Sequence, residues 1–223
     1  MEINLANHIE HTLLKATATK EDIIQLCKEA EDNGFHGVCV PPYYVQVAKK
    51  TLGPKSHVKV VTVVGFPLGY STVGAKVEEV KKAFIEGADE IDMVMNIAAY
   101  KSGDSTAFTN DVSSVATACH LQNKIVKVII ETAYLSKEEI VDICKICSEC
   151  GVDFVKTSTG FAPSGATVEA VKLMRETLPA KIKIKAAGGI KDAAFALELI
   201  QAGAERIGTS ASMELIAGND SVA

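Results

Sequence analysis

Eight short apolar runs, each followed by an amphipathic helical run, predict an α/β fold, and within that class a single-domain (β/α)8 (TIM) barrel. Three observations carry this. The eight pairs are evenly spaced over about 220 residues, where a doubly wound sheet seldom has so many strands. The strand-like runs are apolar throughout and rich in β-branched residues, as parallel strands covered on both faces are. Every connection is short, and no linker, low-complexity tract or second core pattern interrupts residues 1–223, so one domain is expected.

In order, the first strand is read at His11-Thr12-Leu13-Leu14, and Thr19 to Asp22 caps a helix whose Ile23, Leu26, Cys27 and Ala30 share a face, ending at Asn33-Gly34. Gly37 to Val40 is the second strand, and Pro41-Pro42 breaks it and opens a helix from Tyr43 to Thr51. The third strand runs from Val58 to Gly65, and the helix after it uses Val77, Val80 and Phe84. Glu90 to Asn96 is the fourth strand, which places the charge of Asp92 inside a buried element. A long helix follows Lys101-Ser102-Gly103-Asp104 and reaches about Leu121; Ile125 to Thr132 is the fifth strand. Ser136 to Glu139 forms a capping box for the next helix. The sixth strand ends at Lys156 and is followed by a helix using Val168, Val171, Met174 and Leu178. The seventh runs from Ile182 to Ala187, and the eighth from Arg206 to Thr209.

Composition narrows the function. With 48% hydrophobic residues, 23% charged and no Trp, the chain has the make-up of an ordinary globular protein. A net charge of -5 argues against nucleic acid or an anionic membrane as partner, since both call for a basic surface. No basic region followed by an apolar run marks the N-terminus, and a cytoplasmic location is expected. The six cysteines sit in apolar periodic segments, as reduced buried thiols do. Cys144, Cys147 and Cys150 are spaced as in some iron–sulfur sites, but they lie on one helix, around which three cysteines cannot close on a cluster. The five histidines show no metal-ligand spacing, and neither dinucleotide nor P-loop glycine patterns occur. No metal or cofactor is expected.

The C-terminal strand ends of a barrel line one pocket. Here they offer Thr12, Cys39, Asp92, Lys156 and Lys185, with Thr159 and Gly160 just beyond the sixth strand, Gly188-Gly189 beyond the seventh, and Gly208, Thr209 and Ser210 at the eighth. A free lysine titrates near pH 10.4, so an amine that attacks carbonyls near neutrality needs desolvation and an adjacent cation, a part Lys185 could play for Lys156. Asp92 could then hold Lys185 and shuttle a proton. The plainer alternative is a lysine that only pairs with a carboxylate. The glycine loops suit a phosphate held by backbone N–H groups, or else make tight turns only. Cys39 reads as a small core-lining residue or a reactive thiol. By the two-residue period, Glu90 and Lys183 should point inward one layer deeper and form a second ion pair, with Lys127 near them.

Several of these segments together resemble the deoxyribose-phosphate aldolase family: Phe154-Val155-Lys156-Thr157-Ser158-Thr159-Gly160, Lys185-Ala186-Ala187-Gly188-Gly189-Ile190, Glu90-Ile91-Asp92-Met93-Val94-Met95-Asn96, His11-Thr12-Leu13-Leu14-Lys15, Ile129-Ile130-Glu131-Thr132 and Lys101-Ser102-Gly103-Asp104. The resemblance spans essentially the whole chain. It implies a metal-free class I aldolase that reversibly cleaves 2-deoxy-D-ribose 5-phosphate to D-glyceraldehyde 3-phosphate and acetaldehyde. Lys156 is then the Schiff-base lysine, Lys185 the second lysine and Asp92 the proton relay, with phosphate near Gly160, Gly188, Gly189, Gly208 and Ser210. It also implies a homodimer or homotetramer. Two departures stand out: the chain has no tyrosine after Tyr134, where some members carry a C-terminal one, and Phe161 replaces a lysine that helps hold phosphate in some relatives. The alternatives are a transaldolase-like enzyme, distinguished by a longer carbonyl donor, and a non-catalytic barrel that senses a sugar phosphate.

Overall fold

The structure, a computed structural model, describes residues 3–219. Eight strands close into a parallel barrel in chain order: β1 (Ile9–Thr12), β2 (Gly37–Val40), β3 (Lys59–Val64), β4 (Glu90–Val94), β5 (Ile125–Ile129), β6 (Phe154–Lys156), β7 (Lys183–Ala187) and β8 (Arg206–Thr209). Outside them lie α1 (Lys20–Asp32), α2 (Val45–Leu52), α3 (Val73–Glu86), α4 (Ile97–Lys101), α5 (Ser105–His120), α6 (Lys137–Glu149), α7 (Val168–Thr177), α8 (Ala193–Gln201) and α9 (Ser212–Asn219). The stretch on which the expectation about a C-terminal tyrosine bears, 220–223, lies outside the described residues. Among the described residues no helix is long and apolar enough to cross a membrane.

The helices start where the sequence caps them. Thr19 with Asp22 and Ser136 with Glu139 close full capping boxes, each satisfying two N–H groups left open at a helix start. The reading departs from the structure where elements are short. The Tyr43–Thr51 helix opens instead as a 3-10 turn, Pro42–Tyr44, before α2. The single turn of α4, capped by Asn96, has too few residues to show a period. The first strand begins at Ile9, two residues before the expected start. The fifth ends at Ile129, short of Thr132, because Glu131 turns into the left-handed region and a 3-10 turn follows.

The main core fills the space between barrel and helices, from Ile91, Val128 and Ile184 on the strands to Val112, Cys144 and Leu199 on the helices. A small separate cluster, Cys39, Val61 and Val63, packs with Leu14 and Phe66. Between these clusters the barrel interior also carries charge.

Candidate active site

Six ionisable side chains meet inside the barrel: Glu10 on β1, Glu90 and Asp92 on β4, Lys127 on β5, Lys156 on β6 and Lys185 on β7, each no more than 4% exposed. Burying a charge is costly unless it is paired and hydrogen-bonded, and here each one is paired. Lys156 and Lys185 are register partners across β6 and β7. Asp92 Oδ2 accepts from Lys156 Nζ at 2.8 Å and from Lys185 Nζ at 2.6 Å, while its Oδ1 accepts from Lys127 Nζ at 3.0 Å. Glu10 holds Lys185 from the other side and lies 3.4 Å from Lys127 Nζ.

Below this group Lys127 Nζ stands 2.5 Å from Glu90 Oε2, and Glu90 Oε1 lies 3.4 Å from His36 Nε2. The pair expected between Glu90 and Lys183 does not form. Lys183 is the first residue of β7, exposed at the barrel's lower rim, with its ammonium 5.7 Å from the Phe154 ring centroid. Lys127, in register with Asp92 on the adjacent strand, takes Glu90 instead. Glu10, His36 and Glu90 come close enough to share a cation, but Lys127 already supplies that charge.

The electrostatics follow from these distances. Burial opposes charge on Asp92, yet Lys127, Lys156 and Lys185 together hold its carboxyl well below the usual carboxylate range. Burial likewise disfavours charge on Lys185, but Asp92 and Glu10 outweigh it and hold the ammonium above the ordinary lysine value. Lys127 is kept charged in the same way, by Asp92, Glu10 and Glu90.

A cleft of about 240 Å³ opens above the cluster at the C-terminal ends of the strands. Lys156 reaches it, as do Thr12, Thr159, Gly160, Gly188, Gly189, Gly208 and Ser210. Lys185 and Asp92 are fully buried and do not line it. Cys39 is not brought to the cleft either: it is fully buried against Val61 and Val63, and burial above all pushes its thiol up. A larger cavity, about 420 Å³, lies between α6 and α7, lined by none of the six interior charges.

Two glycines are needed for close approach. A Cβ on Gly208 would fall 2.9 Å from Lys185 Cε, so the bare backbone gives that side chain its channel. Gly188, at φ 89°, packs against the Gly165 backbone, where a Cβ would meet Cα at 3.0 Å.

Four residues of the site escape the sequence reading. Glu10 falls before the strand start read there. Lys15 and Lys191 line the cleft and add positive charge at its glycine loops, although Lys15 closes one segment quoted above and Lys191 directly follows another. Glu131, buried behind the loop after Lys156, accepts hydrogen bonds from Thr159. Phe161 packs edge-on against Phe66 at 5.3 Å on the rim.

A strand-end lysine in a cleft, set on a carboxylate shared with a second lysine, is an arrangement suited to carbonyl chemistry. Comparison with known proteins agrees. The profile of the DeoC/LacD family aldolases matches residues 7–219. The deoxyribose-phosphate aldolase of Thermococcus kodakarensis is 51% identical over 215 residues, 96% of this chain and 96% of that protein. That of Thermococcus gammatolerans is 50% identical over 217 residues, 97% and 96% of the two chains. Among solved structures, the tetrameric deoxyribose phosphate aldolase from Aeropyrum pernix superposes with a TM-score of 0.88 at 31% identity, covering 98% of this chain and 92% of that one. The barrel, the lysine–carboxylate cluster at its centre and these near full-length matches lead to one conclusion: the chain belongs to the DeoC/LacD family of aldolases.

Proposed function

We propose that this chain is a class I aldolase that reversibly cleaves 2-deoxy-D-ribose 5-phosphate to D-glyceraldehyde 3-phosphate and acetaldehyde, in the catabolism of deoxyribose phosphate. The observation that carries the reading is the single Asp92 oxygen shared by Lys156 and Lys185. Lys156 alone of the two lysines reaches the cleft, so Lys156 is the nucleophile. Lys185, held by two carboxylates, stays an ammonium beside it.

In the cleavage direction the Lys156 amine adds to the C1 aldehyde of the open-chain sugar, and loss of water gives an iminium. The C3 hydroxyl gives up its proton, the C2–C3 electrons flow into the iminium, and glyceraldehyde 3-phosphate leaves. The enamine that remains is protonated at C2, and water releases acetaldehyde and the free amine. Asp92, in contact with both lysines, relays protons in these steps. Gly160, Gly188, Gly189, Gly208 and Ser210 surround the phosphate, with Lys15 and Lys191 adding charge; Thr12 and Thr159 complete the wall.

The whole chain acts as one catalytic domain in the cytoplasm, as a homodimer or homotetramer; the tetrameric Aeropyrum pernix relative supports the latter. Products analysed after incubation with 2-deoxy-D-ribose 5-phosphate test the reading. Acetaldehyde and glyceraldehyde 3-phosphate in equal amounts are expected, whereas turnover only with a three-carbon donor identifies a transaldolase-like enzyme. A phosphosugar that binds without turnover marks a sensor.

A further inference from the structure

Glu131 has no part in the chemistry above, yet its placement is costly in two ways. It is one of two non-glycine residues with positive φ among the described residues, at φ 55° and ψ 68°. The other is Asn123, of a type that tolerates this region; a glutamate does not. Its carboxylate is also buried, with the residue 2% exposed, and burial pushes its carboxyl up. Strained backbone of this kind persists only where the surroundings impose it.

The surroundings are explicit. On either side of Glu131, the Ile130 amide donates to Lys156 O at 3.0 Å and the Thr132 amide to Thr157 O at 2.9 Å, which ties the segment along the end of β6. Between these two ties the left-handed turn coincides with a carboxylate engaged by Thr159. Both its oxygens lie 3.2 Å from the Thr159 amide, which donates to them, and Oε2 accepts the Thr159 hydroxyl. Thr159 Oγ1 in turn accepts from the Phe161 amide at 3.0 Å.

Of the three successive amides 159–161, the first is taken by Glu131 and the third by the hydroxyl that Glu131 orients. The Gly160 amide between them donates to no protein acceptor among the described residues, and Gly160 lines the cleft. We propose that Glu131 is a positioning residue for the anionic end of the substrate: it takes the Thr159 amide directly, fixes the Phe161 amide through the Thr159 hydroxyl, and leaves that of Gly160 for the phosphate. This rests on the phosphosugar reading given above. Glu131 touches neither the substrate nor the reacting carbonyl, so its effect is on recognition of the phosphate.

The test compares kcat/KM for 2-deoxy-D-ribose 5-phosphate and for unphosphorylated 2-deoxy-D-ribose in Glu131→Ala, Thr159→Val and Thr159→Ser. Borohydride trapping of acetaldehyde is run on each. The ratio of the two kcat/KM values is expected to fall about tenfold in Glu131→Ala and Thr159→Val, through KM for the phosphorylated sugar. Thr159→Ser, which keeps the hydroxyl, should recover most of it, and trapping should persist throughout. An unchanged ratio, or equal losses on both sugars, overturns the proposal. If Glu131→Ala does not fold, Thr159→Val against Thr159→Ser decides alone. A wild-type enzyme that traps no acetaldehyde, or prefers neither sugar, overturns the phosphosugar reading itself.

Discussion

Lys156 and Lys185 stand in register on adjacent strands and donate to the same oxygen of Asp92, at 2.8 and 2.6 Å. They differ in what else they touch. Lys185 has a second carboxylate, Glu10, and no opening to the cleft, whereas Lys156 has Asp92 alone and lines it. Lys185 is held as a charge, and of the two only Lys156 is open to the cleft.

Asp92→Asn keeps the shape of the bridge and removes its charge. Loss of the relay is expected to lower kcat about 10²- to 10⁴-fold, the usual worth of a positioned acid or base. Steady-state kinetics with retained circular dichroism would check it; a change under twofold would exclude Asp92 as the relay.

Lys127→Met removes the cation between Asp92, Glu90 and Glu10, leaving the buried Glu90 without its closest partner and the other two carboxylates with one cation fewer. A cost of about 3–5 kcal/mol in urea unfolding is expected. Lys183→Ala, at the exposed rim, should change stability by less than about 0.5 kcal/mol.

The contrast between those two lysines shows how far the sequence reaches. Alternation along a strand correctly placed Glu90 inside the barrel, but which residue meets it depends on register and strand tilt, which the sequence does not carry. Alternation alone therefore makes Lys127 a neighbour and Lys183 the partner, where the register gives Glu90 to Lys127. Asp92, Lys156 and Lys185 were legible because a charge ending or interrupting an apolar run is conspicuous. Glu10 was hidden by a strand start read two residues late, and Glu131 by a backbone turn no residue preference announces. Cys39 lay on the right strand but is covered by Val61 and Val63.

Gly208→Ala places a methyl 2.9 Å from Lys185 Cε and 3.1 Å from Ala187 Cβ. Lys185 must shift from Asp92. Activity is expected to fall about tenfold or more, since small misplacements near the chemistry are amplified, while overpacking costs about 1–3 kcal/mol of stability. Parallel kinetics and thermal melts separate the two.

Stability should vary with pH at both ends. Asp92 and Glu90 titrate lower in the folded chain than unfolded, so their contribution is full above the ordinary carboxylate range of about pH 4 and is lost as pH falls below it. Lys127 and Lys185 titrate higher than unfolded, so theirs is full below about pH 10 and lost above it. Urea midpoints measured across pH should show a plateau between these limits; a maximum confined to neutral pH would contradict the interior charge network.

A Schiff base at Lys156 can be trapped by incubation with acetaldehyde, reduction with borohydride and peptide mapping by mass. The expected result is a two-carbon adduct on Lys156 that is absent from Lys156→Leu. An adduct on Lys185 in the wild-type enzyme, or none on the folded protein, would contradict it.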